Sequence, residues 1–191
     1  MSLITNAVLP VREQKLTQKR AALALAAGLL AVPSIPMLLE AVVPETAWAA
    51  ATSGGADVEI VSAGGAGVQV GAPDGWETQD NGDSAVLRSE GATVLIQVYD
   101  RAGREPAAVA QRLMRANRVE GMPSAPDGGH ISTTDGDLTG DTCVVVTEQL
   151  TGTCAYLADD DLVVSVITLG DTDHPALPIA DVVGPLARSG R

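Results

Sequence analysis

Residues 21–39, AALALAAGLLAVPSIPMLL, form an uncharged run of about 19 residues between Arg20 and Glu40. Both lysines of the chain precede this run, and both cysteines, Cys143 and Cys154, follow it. A basic stub before an apolar segment is typical of a chain that enters the membrane with its N-terminus in the cytoplasm. Cysteines after such a segment lie where they can oxidise. We therefore expect the bulk of the chain to be extracytoplasmic.

The residues around this run support both its removal and its retention. Ala47-Trp48-Ala49 fits the small-x-small pattern before a signal-peptidase cut. As a helix, about 19 residues would extend about 28 Å, close to the ~30 Å of a hydrocarbon core, although Pro33 and Pro36 interrupt it. No cysteine lies in the first 142 residues, which excludes a lipid-modified N-terminal cysteine after cleavage. A secreted protein and a protein associated with the membrane through its N-terminus stay open as alternatives.

Composition divides the chain into three parts. Residues 1–49 are a cytoplasmic stub plus a signal peptide or membrane anchor, 50–57 a small, Gly-rich linker, and 58–191 one extracytoplasmic domain. Four basic and three acidic side chains give the first fifty residues a charge of +1, so that with −12 overall the remainder carries −13. Such a field repels phosphate backbones and anionic headgroups, which excludes nucleic acid as a partner class.

Eight short segments have the alternation or the β-branched composition of strands: 58–60, 68–70, 85–87, 93–99, 131–133, 143–147, 153–157 and 162–168. Of these, 93–99 is the expected central strand because it is nearly continuously apolar. The connections near 138–140, 150–152 and 159–161 are short enough for hairpins, which predicts an antiparallel meander.

Two segments have the pattern of helices. Over 105–119, Pro106 suits the first turn, and apolar residues recur on one face. Residues 178–188 resemble a helix interrupted at Gly184-Pro185, and 121–129 have the composition of a loop. The sequence thus predicts an α+β domain, an antiparallel sheet with flanking helices.

The order of these elements resembles the Mog1/PsbP-like α/β/α sandwich over residues 66–188. The resemblance is carried by the turn Pro73-Asp74-Gly75-Trp76, by Arg88, by the strand at 94–98 and by the helix core at 107–113. In actinobacteria this fold occurs in LpqN-type envelope proteins and in related exported proteins associated with type VII secretion or envelope glycolipid transport. The resemblance implies a non-enzymatic binding or assembly module, and it supplies no catalytic residue and no cofactor. The lipobox cysteine of the lipoprotein members is absent from this sequence, so lipid anchoring is not carried over.

Cys143 and Cys154 lie on strands that we predict to be neighbours. A turn centred on Glu148-Gln149 would place them opposite one another at disulfide distance. A turn at 150–152 would instead place Cys143 opposite a residue near Leu157 and argue against the bond. We expect the disulfide, which fits the first register.

Other side chains offer little chemistry in sequence order. The acidic stretch 135–141 imitates the first half of a calcium loop, but its twelfth position is Val146 where a carboxylate is required. His130 and His174 lie in neither a nucleophile motif nor a zinc ligand set. We therefore expect no enzyme, no metal and no cofactor. A dispersed hydrolase site stays open, and convergence of either histidine with a serine and a carboxylate would favour it.

We expect an extracytoplasmic accessory or binding module of the cell envelope, one that assists secretion or envelope lipid transport. Its site is predicted as an apolar groove between a helix and the sheet, bordered by Trp76, Arg112 and Arg115. The occupant would be a lipid-like ligand, or a protein of the membrane or of a secretion complex. The alternatives are an envelope hydrolase and a structural subunit of a membrane protein complex.

Overall fold

A computed structural model describes residues 46–50 and 57–189 of the chain. The uncharged run at 21–39 and residues 51–56 of the predicted linker lie outside the described residues. Among the residues that are described, no helix combines the length and the hydropathy that a membrane crossing requires.

The described residues form an α+β fold, as predicted. Its helices are α1 (Pro106–Val119) and α2 (Ile179–Val183). Its strands are β1 (Ala49–Ala50), β2 (Asp57–Val61), β3 (Gly67–Gly71), β4 (Glu77–Asp80), β5 (Ser84–Ser89), β6 (Ala92–Asp100), β7 (Ser124–Ser132), β8 (Thr139–Val146), β9 (Thr151–Ala158), β10 (Leu162–Gly170) and β11 (Ala187–Ser189). An antiparallel sheet has the order β1-β4-β5-β6-β10-β9-β8-β7, and a smaller antiparallel sheet has the order β11-β3-β2.

The large sheet is covered on both faces, which explains why every residue of its central strand β10 is buried. Alternate residues of a strand point to opposite faces. Val164 and Val166 belong to a first core cluster, together with residues of the small sheet and of α2. Val163 and Ile167 belong to a second core cluster, together with residues of α1. The large sheet therefore lies between α1 on one side and the small sheet with α2 on the other.

The predicted disulfide between Cys143 and Cys154 is confirmed. The two residues are direct partners on β8 and β9, with their Cα atoms 4.9 Å apart, and both are fully buried in the second cluster. The register follows from the turn, in which the N–H of Thr147 donates to the carbonyl of Leu150 at 2.8 Å. This turn is centred on Glu148-Gln149, and the alternative turn at 150–152 is wrong.

The prediction of a loop at 121–129 is wrong for most of its length, because β7 begins at Ser124. β7 is an edge strand with almost no buried residue, and its register with β8 shifts between Pro126 and His130. An exposed edge strand needs no apolar alternation, and a proline with an irregular register protects it against pairing with another chain. Loop-like composition therefore concealed a strand.

Two element boundaries and one strand differ from the sequence-based prediction. The helix expected over 178–188 ends at Val183, and β11 then pairs with β3. The Gly184-Pro185 pair breaks the helix, since proline cannot continue the helical hydrogen bonds. The connection expected near 138–140 lies earlier, because Thr139 already belongs to β8. β4 was not predicted, since its polar sequence buries only Thr78.

Residues 46–50 belong to the edge of the large sheet. β1 pairs with β4, and the side-chain amide of Gln79 donates to the carbonyl of Thr46 at 2.8 Å. The guanidinium of Arg88 lies 3.6 Å from the ring centroid of Trp48, and its Nε donates to Glu77 at 2.7 Å. The Ala47-Trp48-Ala49 pattern, predicted as a cleavage signal, therefore contacts the folded sheet through its tryptophan.

We expect the disulfide to stabilise the fold by roughly 2–4 kcal/mol, because it closes a loop in the unfolded chain. Urea unfolding should show that a reductant lowers the free energy of unfolding of the wild-type protein by this amount. The control is the double variant Cys143→Ala/Cys154→Ala, whose stability should not respond to reductant. An equal response of both proteins would contradict the expectation.

Candidate functional site

A groove runs between α1 and the outer strands of the large sheet. α1 is held on the sheet by Val109 and Leu113, its two buried residues, which pack in the second cluster. The helix therefore leaves part of the face formed by β7, β8 and β9 uncovered. The resulting cavity, here called the α1 groove, has a volume of about 390 Å³, within the range of small-ligand sites.

The walls of the α1 groove are mainly apolar. α1 contributes Pro106, Ala107, Ala110 and Met114 to one wall. The sheet contributes Pro126, Tyr156, Ala158 and Val163. Alanines on both sides leave room that larger side chains would fill, so the groove is suited to an apolar chain more than to a polar ligand.

A hydrogen-bonded group of three polar side chains lines the α1 groove on the side of β7 and β8. His130 on β7 is the direct partner of Asp141 on β8, and its Nδ1 lies 3.1 Å from Asp141 Oδ1. Thr139 lies two residues before Asp141 on the same face, and its Oγ1 is 2.7 Å from His130 Nε2. All three side chains line the groove. The structure thus brings one of the two histidines together with a hydroxyl and a carboxylate, the hydroxyl being that of threonine and not of serine.

A second polar pair lies beside this group. The hydroxyl of Thr142 donates to Asp127 Oδ1 at 2.6 Å, and the N–H of Gly129 donates to the same oxygen at 2.9 Å. These two hydrogen bonds, the hydroxyl first, lower the pKa of the Asp127 carboxyl. They connect the irregular part of β7 to β8 and so hold the polar rim of the groove in place.

Two tyrosines in the second cluster have raised pKa values. Tyr156 lines the groove, and burial raises its pKa, although the amide of Asn117 on α1 donates to its hydroxyl at 3.2 Å. Burial, followed by the charges of Asp83 and Glu120, raises the pKa of Tyr99 to about 12. Burial therefore favours the neutral phenol of both rings over the phenolate.

The three residues predicted to border a groove lie in different places. Trp76 is half-buried against the first cluster, on the side of the small sheet. Arg112 and Arg115 are exposed on α1, which packs on the second cluster. The α1 groove also lies between a helix and the sheet, and the residues that line it do not include these three.

His174, the other histidine, lies in the segment between β10 and α2. Its backbone N–H donates to Asp171 Oδ1 at 2.6 Å, and this hydrogen bond is the main reason that the pKa of the Asp171 carboxyl is lowered. A Cβ built on Gly91 would come within 2.4 Å of the His174 ring, so the ring packs directly on that glycine. The close contact indicates a structural role for His174 at the β5–β6 turn.

Further cavities lie elsewhere among the described residues. A polar cleft of about 460 Å³ is lined by Asp100, Asp161 and Arg188, among others. The side chain of Arg188 is only 5% exposed; its Nε lies 2.7 Å from Asp159, and its Nη1 donates to the carbonyl of Gly67. This pairing connects β11 to β3 and to the β9–β10 turn. A smaller cavity of about 180 Å³ lies near Met122, beyond the C-terminal end of α1.

The raised tyrosine pKa values predict how stability depends on pH. A phenol whose pKa is higher in the folded than in the unfolded protein contributes stability that is complete below about pH 10 and is lost as pH rises towards about 12. The ultraviolet absorbance of phenolate should therefore appear at a higher pH in the folded protein than in the urea-unfolded protein. Tyr99→Phe should remove the tyrosine ionisation that occurs at the higher pH. Titration of both tyrosines near pH 10 in the folded protein would contradict the prediction.

Neither a group of metal ligands nor a similar known protein assigns a ligand to the α1 groove. Among residues 46–50 and 57–189, no group of three or more His, Cys, Asp or Glu side chains is arranged to hold a metal ion. Comparisons of the chain with protein-family models, with curated proteins and with solved structures give no significant match.

Proposed function

We propose that the chain is an extracytoplasmic accessory module of the cell envelope that binds a lipid-like ligand by its apolar chain. The observation that carries this proposal is the α1 groove, whose mainly apolar walls enclose a volume of about 390 Å³. Binding an apolar chain there removes both the ligand and the groove walls from water, which supplies the driving force without a specific polar contact.

The rim of the groove supports a ligand with a polar end. His130, Thr139 and Asp141 line the cavity on the side of β7 and β8, whereas Ala110 and Met114 line it on the side of α1. A molecule with an apolar chain and a polar head matches this division, since the chain avoids water and the head keeps its hydrogen bonds. Such a molecule is lipid-like, and the assistance of envelope lipid transport is the corresponding role.

The extracytoplasmic location is supported by the disulfide and by the charges of the N-terminal part. The Cys143–Cys154 bond is typical of proteins that mature in an oxidising compartment. The basic residues before the uncharged run favour an N-terminus that stays in the cytoplasm. Together they favour export of the domain across one bilayer.

A Mog1/PsbP-like fold is part of the proposal. It is supported by the element order, in which α1 follows the central strand β6 and precedes the meander from β7 to β10, with α2 near the end of the chain. It is also supported by helices on both sides of the large sheet. Proteins of that fold that act in secretion or in lipid transport would then be functional analogues.

Filling the groove should weaken ligand binding. In the full-length chain in phospholipid nanodiscs, a photoreactive diazirine analogue of a fatty alcohol should label peptides from α1 and β9. Ala110→Trp places an indole in the groove and should reduce this labelling by about tenfold, which corresponds to about 1.4 kcal/mol.

The matched control is Ala108→Trp, because Ala108 is exposed on α1 and lies outside the groove lining. This variant should label as the wild-type protein does, and thermal unfolding should show that both variants are folded. Equal labelling of the two variants, or labelling confined to peptides outside α1 and β9, would contradict the proposed site.

The proposed location is tested by protease access. With an epitope tag at the C-terminus, protease added outside intact cells should remove the tag, while a cytoplasmic marker protein stays intact. Cys143 and Cys154 should react with maleimide only after reduction. A tag that is digested only after lysis, together with thiols that react without reductant, would contradict the location.

A further inference from the structure

We infer that Thr139, His130 and Asp141 form a catalytic group that hydrolyses carboxylic esters whose acyl chain lies in the α1 groove. The inference rests on the proposed binding of an apolar chain and adds a chemical step to it. A dispersed hydrolase site of this kind cannot be recognised from sequence order, because the three residues come from two strands and only their register brings them together.

The hydrogen bonds assign a distinct role to each ring nitrogen of His130. An ionised carboxylate only accepts hydrogen bonds, so the contact with Asp141 requires the proton to be on Nδ1. In the neutral ring, Nε2 then carries a lone pair, and the hydroxyl of Thr139 at 2.7 Å donates to it. A hydroxyl nucleophile, a base and an orienting carboxylate therefore follow one another as Thr139, His130 and Asp141. This is the arrangement that activates a hydroxyl for acyl transfer.

The position of the group relative to the groove defines the substrate class. Thr139 and Ala158 are direct partners on β8 and β9, and both line the groove. Ala110 and Met114 line the same cavity, so an acyl chain bound there occupies the cavity to which the Thr139 hydroxyl also belongs. The substrate is an ester of an apolar carboxylic acid with an alcohol that extends into solvent.

Solvent access is compatible with this role. The side chains of His130 and Asp141 are 64% and 83% exposed. Ion pairs and hydrogen bonds at such exposed positions contribute little to stability. Water and a leaving alcohol can reach the same side chains, and both are needed for turnover.

The reaction balances without a cofactor. Thr139 Oγ1 forms a bond to the carbonyl carbon of the ester, and its proton moves to His130 Nε2. The bond from that carbon to the alkoxy oxygen breaks, and the alcohol leaves with the proton from His130. Water then attacks the acyl carbon and gives a proton to His130 Nε2. The bond from that carbon to Thr139 Oγ1 breaks, and Oγ1 takes the proton from His130, so the carboxylic acid leaves and the Thr139 hydroxyl is restored. Asp141 stabilises the imidazolium that forms in each half of the reaction.

The test measures hydrolysis of p-nitrophenyl acetate, butyrate and octanoate by the full-length chain in phospholipid nanodiscs. kcat/KM should rise with the length of the acyl chain, because the chain binds in the groove. Thr139→Val keeps the shape and strand preference of the side chain but removes the hydroxyl, and it should lower kcat/KM by roughly 100-fold or more, as should His130→Ala. Thr139→Ser should keep activity, and His174→Ala, at the structural histidine, should leave it unchanged.

A covalent intermediate separates catalysis from binding. Mass spectrometry of rapidly quenched protein should find the octanoyl group on Thr139. Wild-type rates in Thr139→Val, or no hydrolysis above that of protein-free nanodiscs, would overturn the inference. If the fatty-alcohol photolabel still marks the groove in that case, the proposed binding function stands and only the catalytic step fails; if labelling is also absent, both fail.

Discussion

Burial of both faces of β10 is the constraint on which the rest of the structure depends. All nine residues from Leu162 to Gly170 are buried. A strand of this kind cannot stay at a surface, so each face of the large sheet needs a covering layer. The small sheet with α2 covers one face through the first cluster, and α1 covers the other through the second. The disulfide holds β8 to β9 within the second cluster.

The two coverings differ in extent, and this difference produces the groove. A sheet covers the first face broadly, whereas one helix of 14 residues covers the second. Val109 and Leu113 pack α1 on the sheet, and the groove beside the helix is lined by residues of β7, β8 and β9. The small side chains of alanines on α1 and on β9 leave space between the walls. An incomplete layer thus gives the domain an accessible, mainly apolar cavity, which polar side chains of β7 and β8 also line.

Sequence patterns predicted the buried elements and failed at the exposed ones. β6, β10 and α1 were predictable because burial imposes apolar periodicity on them, and the disulfide followed from the distance between two cysteines on neighbouring strands. β4 and β7 bury almost no side chain, so their sequences carry no period. The contact between His130 and Asp141 depends on the register shift within β7, and no residue pattern encodes that shift. Trp76 and Arg112, which we predicted to border one groove, lie on opposite sides of the sheet, because Trp76 packs against the first cluster and the helix of Arg112 packs on the second.

Binding of an apolar chain in the α1 groove is tested most directly by methyl NMR of methionine in the full-length chain. The sequence contains four methionines, of which Met114 lines the groove and Met122 lines the separate cavity beyond the helix. Titration with 1-decanol in nanodiscs should shift the Met114 methyl signal saturably and leave the Met122 signal in place. A stationary Met114 signal, or equal shifts of both signals, would contradict the account.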